Sequence, residues 1–148
     1  MIFKKCVILF VIVSLCFLSG CRGPKVEGLV SVRGTVTYKG EPLDGATVCF
    51  TPKEFKTGDR LATGKTDTQG RFELRTIGEP GVLPGEYIVV VIKNEMIPGN
   101  ARRSTPGRPP PMEIKSLIPK RYNDPKTSDV SVDVGKDGLR DWFLELVD

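Results

Sequence analysis

Short runs of alternating apolar and polar residues recur along this chain, and they set the first structural expectation. Val30, Val32, Val36 and Tyr38 share one parity, while Ser31, Arg33, Thr35, Thr37 and Lys39 share the other. Successive side chains of a strand point to opposite faces, so this pattern is a half-buried strand. Gly34 falls on the apolar face, where a bulge or a close approach fits. Turn formers fill residues 39–45, KGEPLDG. Ala46, Val48 and Phe50 then alternate with Thr47, Cys49 and Thr51 in a second strand, which Pro52 ends. A polar loop over 53–60 leads to a weaker third strand over 61–67. Thr68-Gln69-Gly70 turns the chain into a fourth strand over 71–75, with Phe72 and Leu74 facing inward. Residues 76–85 hold three Gly and two Pro and read as a loop. Residues 87–92 are six consecutive apolar residues, a strand buried on both sides or covered by the segment that follows. The Pro- and Gly-rich stretch 94–125 reads as one long loop. Val130, Val132 and Val134 alternate with Ser131 and Asp133. Beyond a turn at Lys136-Asp137-Gly138, Trp142, Leu144 and Leu146 alternate with Phe143, Glu145 and Val147.

Seven short strands with turn signals between them, and no sustained helical period, predict an all-β chain: a seven-stranded antiparallel β-sandwich. Its expected core includes Val36, Val48, Phe50, Phe72, Leu74, Tyr87, Val89, Val132 and Leu144. Composition agrees, because Gly 16 and Pro 12 favour a turn-rich chain over a helical one.

The first twenty residues follow a different rule. Lys4 and Lys5 precede an apolar or small run over 6–18, the charge-then-apolar pattern of a secretory signal peptide. The run is shorter than the roughly 20 apolar residues that a membrane span needs. It ends Leu18-Ser19-Gly20-Cys21, which resembles the bacterial lipobox. That resemblance implies a diacylglyceryl thioether on the Cys21 sulfur, cleavage before Cys21, and acylation of the new amino group, commonly with palmitate. One acyl chain anchors marginally and a second makes attachment stable, at ~0.8 kcal/mol per buried methylene. The expected organisation is therefore a lipoprotein signal peptide over 1–20, a tether over 21–28 and one β domain over 29–148. Residue 22 is Arg, so an Asp-after-Cys retention signal is missing. The implied location is the cell envelope, on the periplasmic or outer surface of the outer membrane.

Cysteine, histidine and charge then exclude chemistry. Cys6 and Cys16 leave with the signal and Cys21 carries lipid, so Cys49 alone remains and no intramolecular disulfide forms. Cys49 has no activating neighbour in sequence and reads as a small strand residue. His 0 rules out Ser-His-Asp and Cys-His catalysis and imidazole-ligated metal or haem. Lys+Arg 22 against Asp+Glu 18 falls to 20 against 18 once Lys4 and Lys5 are removed, an excess of +2. So balanced a chain gives no case for nucleic acid.

Four motifs in order carry a family resemblance. Val32 to Val36 reads V-x-G-x-V, and Pro42-Leu43-Asp44-Gly45-Ala46-Thr47-Val48 follows. Thr66-Asp67-Thr68-Gln69-Gly70-Arg71-Phe72 comes next, and later Leu83-Pro84-Gly85-Glu86-Tyr87. Over residues 29–147 this succession resembles the carboxypeptidase regulatory-like domain, a transthyretin-like (prealbumin-type) sandwich. It is similar to small bacterial lipoproteins that also carry I-P-x-x-Y-x-D-P-x-T-S, here residues 118–128. The motifs are turn chemistry. Gly45 can take a positive φ at a strand entry, Asp67 can accept N–H groups across the turn that Gly70 completes, and Tyr87 supplies a buried ring with a polar tip. They imply fold rather than catalysis. Related sandwiches with hydroxyisourate hydrolase or intradiol dioxygenase activity need active-site His, which this chain lacks.

Three features remain as candidate sites. Asp67 with Asp44 or Asp59 offers oxygen ligands for Ca²⁺, but without the dense spacing of a calcium loop they are read as turn residues and no metal or other cofactor is expected. Residues 94–121 carry Arg102, Arg103, Arg108, Lys115, Lys120 and Arg121 against Glu95 and Glu113, an excess of +4. Such a segment can meet anionic groups of an envelope polymer, and Pro109-Pro110-Pro111 suggests a stiff polyproline II piece that another envelope protein can bind. Trp142 shares parity with Leu144 and Leu146, which makes it a core residue before it is a sugar platform. The expectation is a lipid-anchored, non-catalytic structural or interaction module. The alternative is an envelope glycan or anionic-polymer binding protein.

Overall fold

Alternation resolves into twelve strand segments in the computed structural model, which describes residues 26–99 and 111–148. In chain order they are β1 (Val32–Tyr38), β2 (Glu41–Pro42), β3 (Thr47–Pro52), β4 (Ala62–Lys65), β5 (Arg71–Glu73), β6 (Arg75–Thr76), β7 (Glu79–Pro80), β8 (Gly85–Ile92), β9 (Asn94–Pro98), β10 (Met112–Ser116), β11 (Ser131–Val134) and β12 (Leu139–Leu146). Among the described residues helix is limited to a 3-10 turn, Lys120–Asn123. The fold is all-β.

Each of the seven expected strands has a counterpart, and the differences have physical causes. The expected strand over 71–75 breaks at Leu74 because the chain changes sheets there. β5 pairs antiparallel with β1, whereas β6 pairs antiparallel with β4. Leu74 itself donates its N–H to the Val32 carbonyl and accepts from Gly81 N–H. The turn-rich residues that follow add the two-residue strand β7. Antiparallel pairing is not universal either, because β1 and β12 run parallel, with Val32 opposite Leu139 and Tyr38 opposite Leu146. The expected long loop is corrected most. β9 and β10 form an antiparallel hairpin in which Ile114 lies opposite Met96 and Met112 opposite Pro98. Pro and Gly punctuation in that segment hid two five-residue strands.

One sheet has the order β12-β1-β2, with β5 also along β1, and the other runs β11-β8-β3-β4-β6-β7. Val32, Val36, Phe72, Leu144 and Leu146 of the first meet Val48, Phe50, Ala62, Val89, Val91 and Val134 of the second in a single buried cluster. Trp142 bridges them. Its indole meets Phe50 at 5.6 Å and 84° and Phe72 at 6.2 Å and 87°, both edge-to-face. Eight of the nine expected core residues are buried, while Val132 is half-buried and packs against the cluster. The six-residue apolar run is explained by a cover, because the segment carrying the 3-10 turn packs on β8 and buries Ile118 and Tyr122.

Register divides the domain into two ends. Val30 bridges Val82, Pro52 lies opposite Tyr87 and Ala62 opposite Thr76 at the end where the chain enters. Lys39, Asp44 and Ile92 mark the other end, from which the β9–β10 hairpin departs. The eight residues of β8 separate the ends by roughly 26 Å at ~3.3 Å per strand residue.

Candidate functional site

The residues that carry the motifs are placed by backbone geometry. Asp67 Oδ1 accepts from the backbone N–H of Gln69 and of Arg71, each at 2.9 Å, and Oδ2 accepts from Arg71 Nε at 3.1 Å. Gly70 completes this turn at φ 72, where a Cβ would collide with the Val36 carbonyl. The Arg71 amide and the other donors hold the Asp67 carboxyl below its ordinary value. Asp67 is thus committed to its own turn. Gly45 sits at φ 62 before β3. Tyr87 is buried, and its hydroxyl donates to the Leu83 carbonyl at 2.7 Å, which ties the start of β8 to the preceding loop. Among the described residues no group of three or more Asp, Glu, Cys or His gathers. Cys49 is half-buried, and burial pushes its thiol up, away from the reactive thiolate.

The expected contact residues separate into three groups. Cys21, Arg102, Arg103 and Arg108 lie outside the described residues. Lys115 and Lys120 are exposed, Lys115 on β10 opposite Glu95 and Lys120 at the start of the 3-10 turn. Arg121 is different, because it is half-buried and structural. Its Nη2 donates to the Tyr122 hydroxyl at 2.8 Å and to the Val147 carbonyl at 2.7 Å, and its guanidinium lies 4.6 Å from the Tyr122 ring centre. The two Nη2 bonds pin the 3-10 turn to the residue that follows β12, while Nε is buried with no partner among the described residues. Lys93, at the base of the hairpin, is likewise engaged with the Asp44 carbonyl.

Sequence reading missed the apolar face of the hairpin. Residues directly opposite in an antiparallel pair share a face. Met96, Pro98, Met112 and Ile114 therefore lie on one side, while Glu95, Ile97, Glu113 and Lys115 lie on the other. Met96 and Ile114 are each 70% exposed and Met112 58%. The signal was present as alternation over 112–115, M-E-I-K, but it is only two periods long. The domain also bears a polar cleft of about 420 Å³ lined by Lys53, Lys56, Asp59, Glu86, Tyr87 and Asp133, among others. Lys53 and Glu86 pair across it at 3.0 Å.

No family model matches the chain, and no curated protein matches it. Among solved structures it is similar to a 9R-lipoxygenase from Cyanothece PCC8801, at 15% identity and a TM-score of 0.34. The match covers 85% of this chain but 17% of that one, so the chain spans a small part of the enzyme's length. A likeness this slight bears on neither fold family nor activity.

Proposed function

We propose that this chain is a lipid-anchored protein of the cell envelope whose β domain is a non-catalytic structural or interaction module. The observation that carries the reading is the Leu18-Ser19-Gly20-Cys21 box directly after a short apolar run headed by Lys4 and Lys5. Residues 1–20 are then a signal peptide, and Cys21 bears the acyl chains that hold the protein in the outer membrane. We take the domain to be a transthyretin-like sandwich of the carboxypeptidase regulatory-like kind. Support comes from the core shared by the two sheets and from the motif residues Gly45, Asp67 and Gly70, which sit in turns, and Tyr87, a buried ring with a bonded hydroxyl, as the motif chemistry leads one to expect.

Mass spectrometry of the membrane-extracted protein tests the anchor. The expected result is a mature N-terminal Cys21 bearing diacylglyceryl, and Cys21→Ala should yield an unlipidated product. A free Cys21 thiol in the membrane-derived wild type would overturn the reading.

A second reading, binding of an anionic envelope polymer, is favoured by one observation. Arg102, Arg103 and Arg108 follow one another with no acidic residue between Glu95 and Glu113. Since Arg121 is engaged within the fold, the binding charge would rest on these three with Lys115 and Lys120. Replacing the three arginines by Ser should lower retention on an immobilised anionic glycan and flatten its salt dependence. Equal retention at low salt would remove this reading.

A further inference from the structure

We propose that the end of the domain carrying Phe55, Leu61 and Ile77 rests on the lipid surface as a second contact beside the Cys21 anchor, an inference that rests on that anchor. The three side chains come from separate segments: the 53–60 loop, the residue before β4, and the turn between β6 and β7. They are 65%, 48% and 54% exposed. Register brings Leu61 and Ile77 together. Ala62 lies opposite both Phe50 and Thr76, so Leu61 and Ile77 extend past the same level and line one cleft with Thr63 and Arg75. Pro52 lies opposite Tyr87, so the loop that carries Phe55 leaves β3 at this same end.

Ile77 is the sharpest of these features. It stands at φ 50 and Gly78 at φ 82, the two central residues between Thr76 and Glu79, which are paired. A two-residue hairpin turn with both φ values positive strongly prefers Asn-Gly or Gly-Gly. A β-branched residue there crowds its own carbonyl. This turn therefore holds an exposed apolar side chain in a backbone conformation that opposes it, and water rewards neither property. Burial of the tip in an apolar medium would reward the first. Arg75 Nη1 donates to the Gly78 carbonyl at 3.2 Å, which places a cation beside the tip at headgroup depth.

The tether decides which medium. Val30 bridges Val82 at this same end, and eight residues separate it from Cys21. Eight extended residues reach at most roughly 29 Å. Acyl chains on Cys21 would keep the Phe55–Leu61–Ile77 end within that reach of the bilayer, while the β9–β10 hairpin stands at the opposite end. Aromatic and apolar tips suit the membrane–water interface, and single tips on separate loops need no shape match there. A second protein would ask for about 800 Å² of fitted surface per partner, more than three tips supply. The 53–60 loop carries Lys53, Lys56 and Arg60 against Glu54 and Asp59, so attraction to anionic lipid adds little.

Methyl NMR of the lipid-bearing protein, isoleucine-labelled and held in phosphatidylcholine nanodiscs that contain a nitroxide lipid, reads the orientation directly. Ile77 and Ile114 are internal reporters at the two ends. Relaxation enhancement several-fold larger at Ile77 than at Ile114, unchanged between low and high salt, is the expected result. Equal enhancement, or the larger effect at Ile114, overturns the proposal. The mass of the Cys21 peptide from the same sample separates the two levels. A missing lipid defeats the anchor reading and this inference with it, whereas a lipid present with Ile114 broadened as much as Ile77 defeats this inference alone.

Discussion

Adding a single methyl group at Gly34 tests the contact between β1 and β12. The register of that parallel pair shifts between Val32 and Gly34, and Gly34 then lies opposite Trp142. A Cβ at position 34 would collide with the Trp142 carbonyl and meet Phe72 Cε1 at 3.0 Å and Cζ at 3.1 Å. The ring can rotate by a few tenths of an ångström, but the carbonyl belongs to a strand and moves only if β12 recedes from β1. Overpacking of this kind costs about 1–3 kcal/mol. Gly→Ala also removes freedom from the unfolded chain and returns about 0.4–1 kcal/mol. The net for Gly34→Ala is then a loss of about 1–2 kcal/mol, or roughly 3–12 °C in Tm for a domain of this size. Urea unfolding followed by Trp fluorescence is the natural assay, because Trp 1 means that Trp142 is the sole reporter and it sits at the clash. Gly135→Ala is the control, with open space around its Cβ and no left-handed φ, and it should be neutral or mildly stabilising. If Gly34→Ala proved as stable as Gly135→Ala, with Trp142 emission unmoved, β1 and β12 would not abut as described.

Phe72→Ala should lose about 3–5 kcal/mol by the same urea assay, because the ring is buried and one edge of the Trp142 stack disappears. A loss under about 1 kcal/mol would place Phe72 outside the core. Ile77→Gly should raise stability in detergent solution by roughly 0.5–1 kcal/mol, since relief of the left-handed Ile exceeds the entropy that Gly adds. A fall in midpoint would contradict the positive φ. The Asp67 carboxyl is held low by its turn, so its contribution is complete above the unfolded pKa and is lost as pH falls through the folded value. Stability measured from pH 7 to well below pH 4 should therefore drop more for wild type than for Asp67→Asn, the difference appearing below about pH 4 and the two curves converging in stronger acid. Parallel curves would show that the ionised form is not preferred.

What could be read in advance followed from local rules. Alternation placed Val36, Val48, Phe50, Phe72 and Leu144 in the core, and turn chemistry placed Asp67 and Gly70, because strand parity and φ > 0 are fixed within a few residues. Partners more than a hundred positions apart were not legible. Nothing in the pattern of residues 30–39 says that β1 will meet β12 in parallel, and nothing at Leu74 says that the strand will change sheets there. Arg121 shows the same limit from the chemical side. Counted as one charge among six it looked free, yet its geometry was set by the Val147 carbonyl twenty-six positions away. The hairpin escaped notice because Pro98 closes one strand and Pro111 precedes the other, and each strand is too short to declare a period.

Parallel pairing of β1 with β12 also sets the order in which the domain can be completed. β1 is made about a hundred residues before its neighbour along one edge, which ends at Leu146. Until that residue has left the ribosome, β1 lacks a partner on that side, and Phe50 and Phe72 lack the indole packed between them. Loop closure over so long a stretch is slow, and the sheet cannot gain from it piecemeal. A chain emerging N-terminus first thus stays open along this seam until β12 has emerged, a state exposed to aggregation. Shortening the chain within β12 should therefore leave the whole first sheet unfinished rather than merely trim its edge.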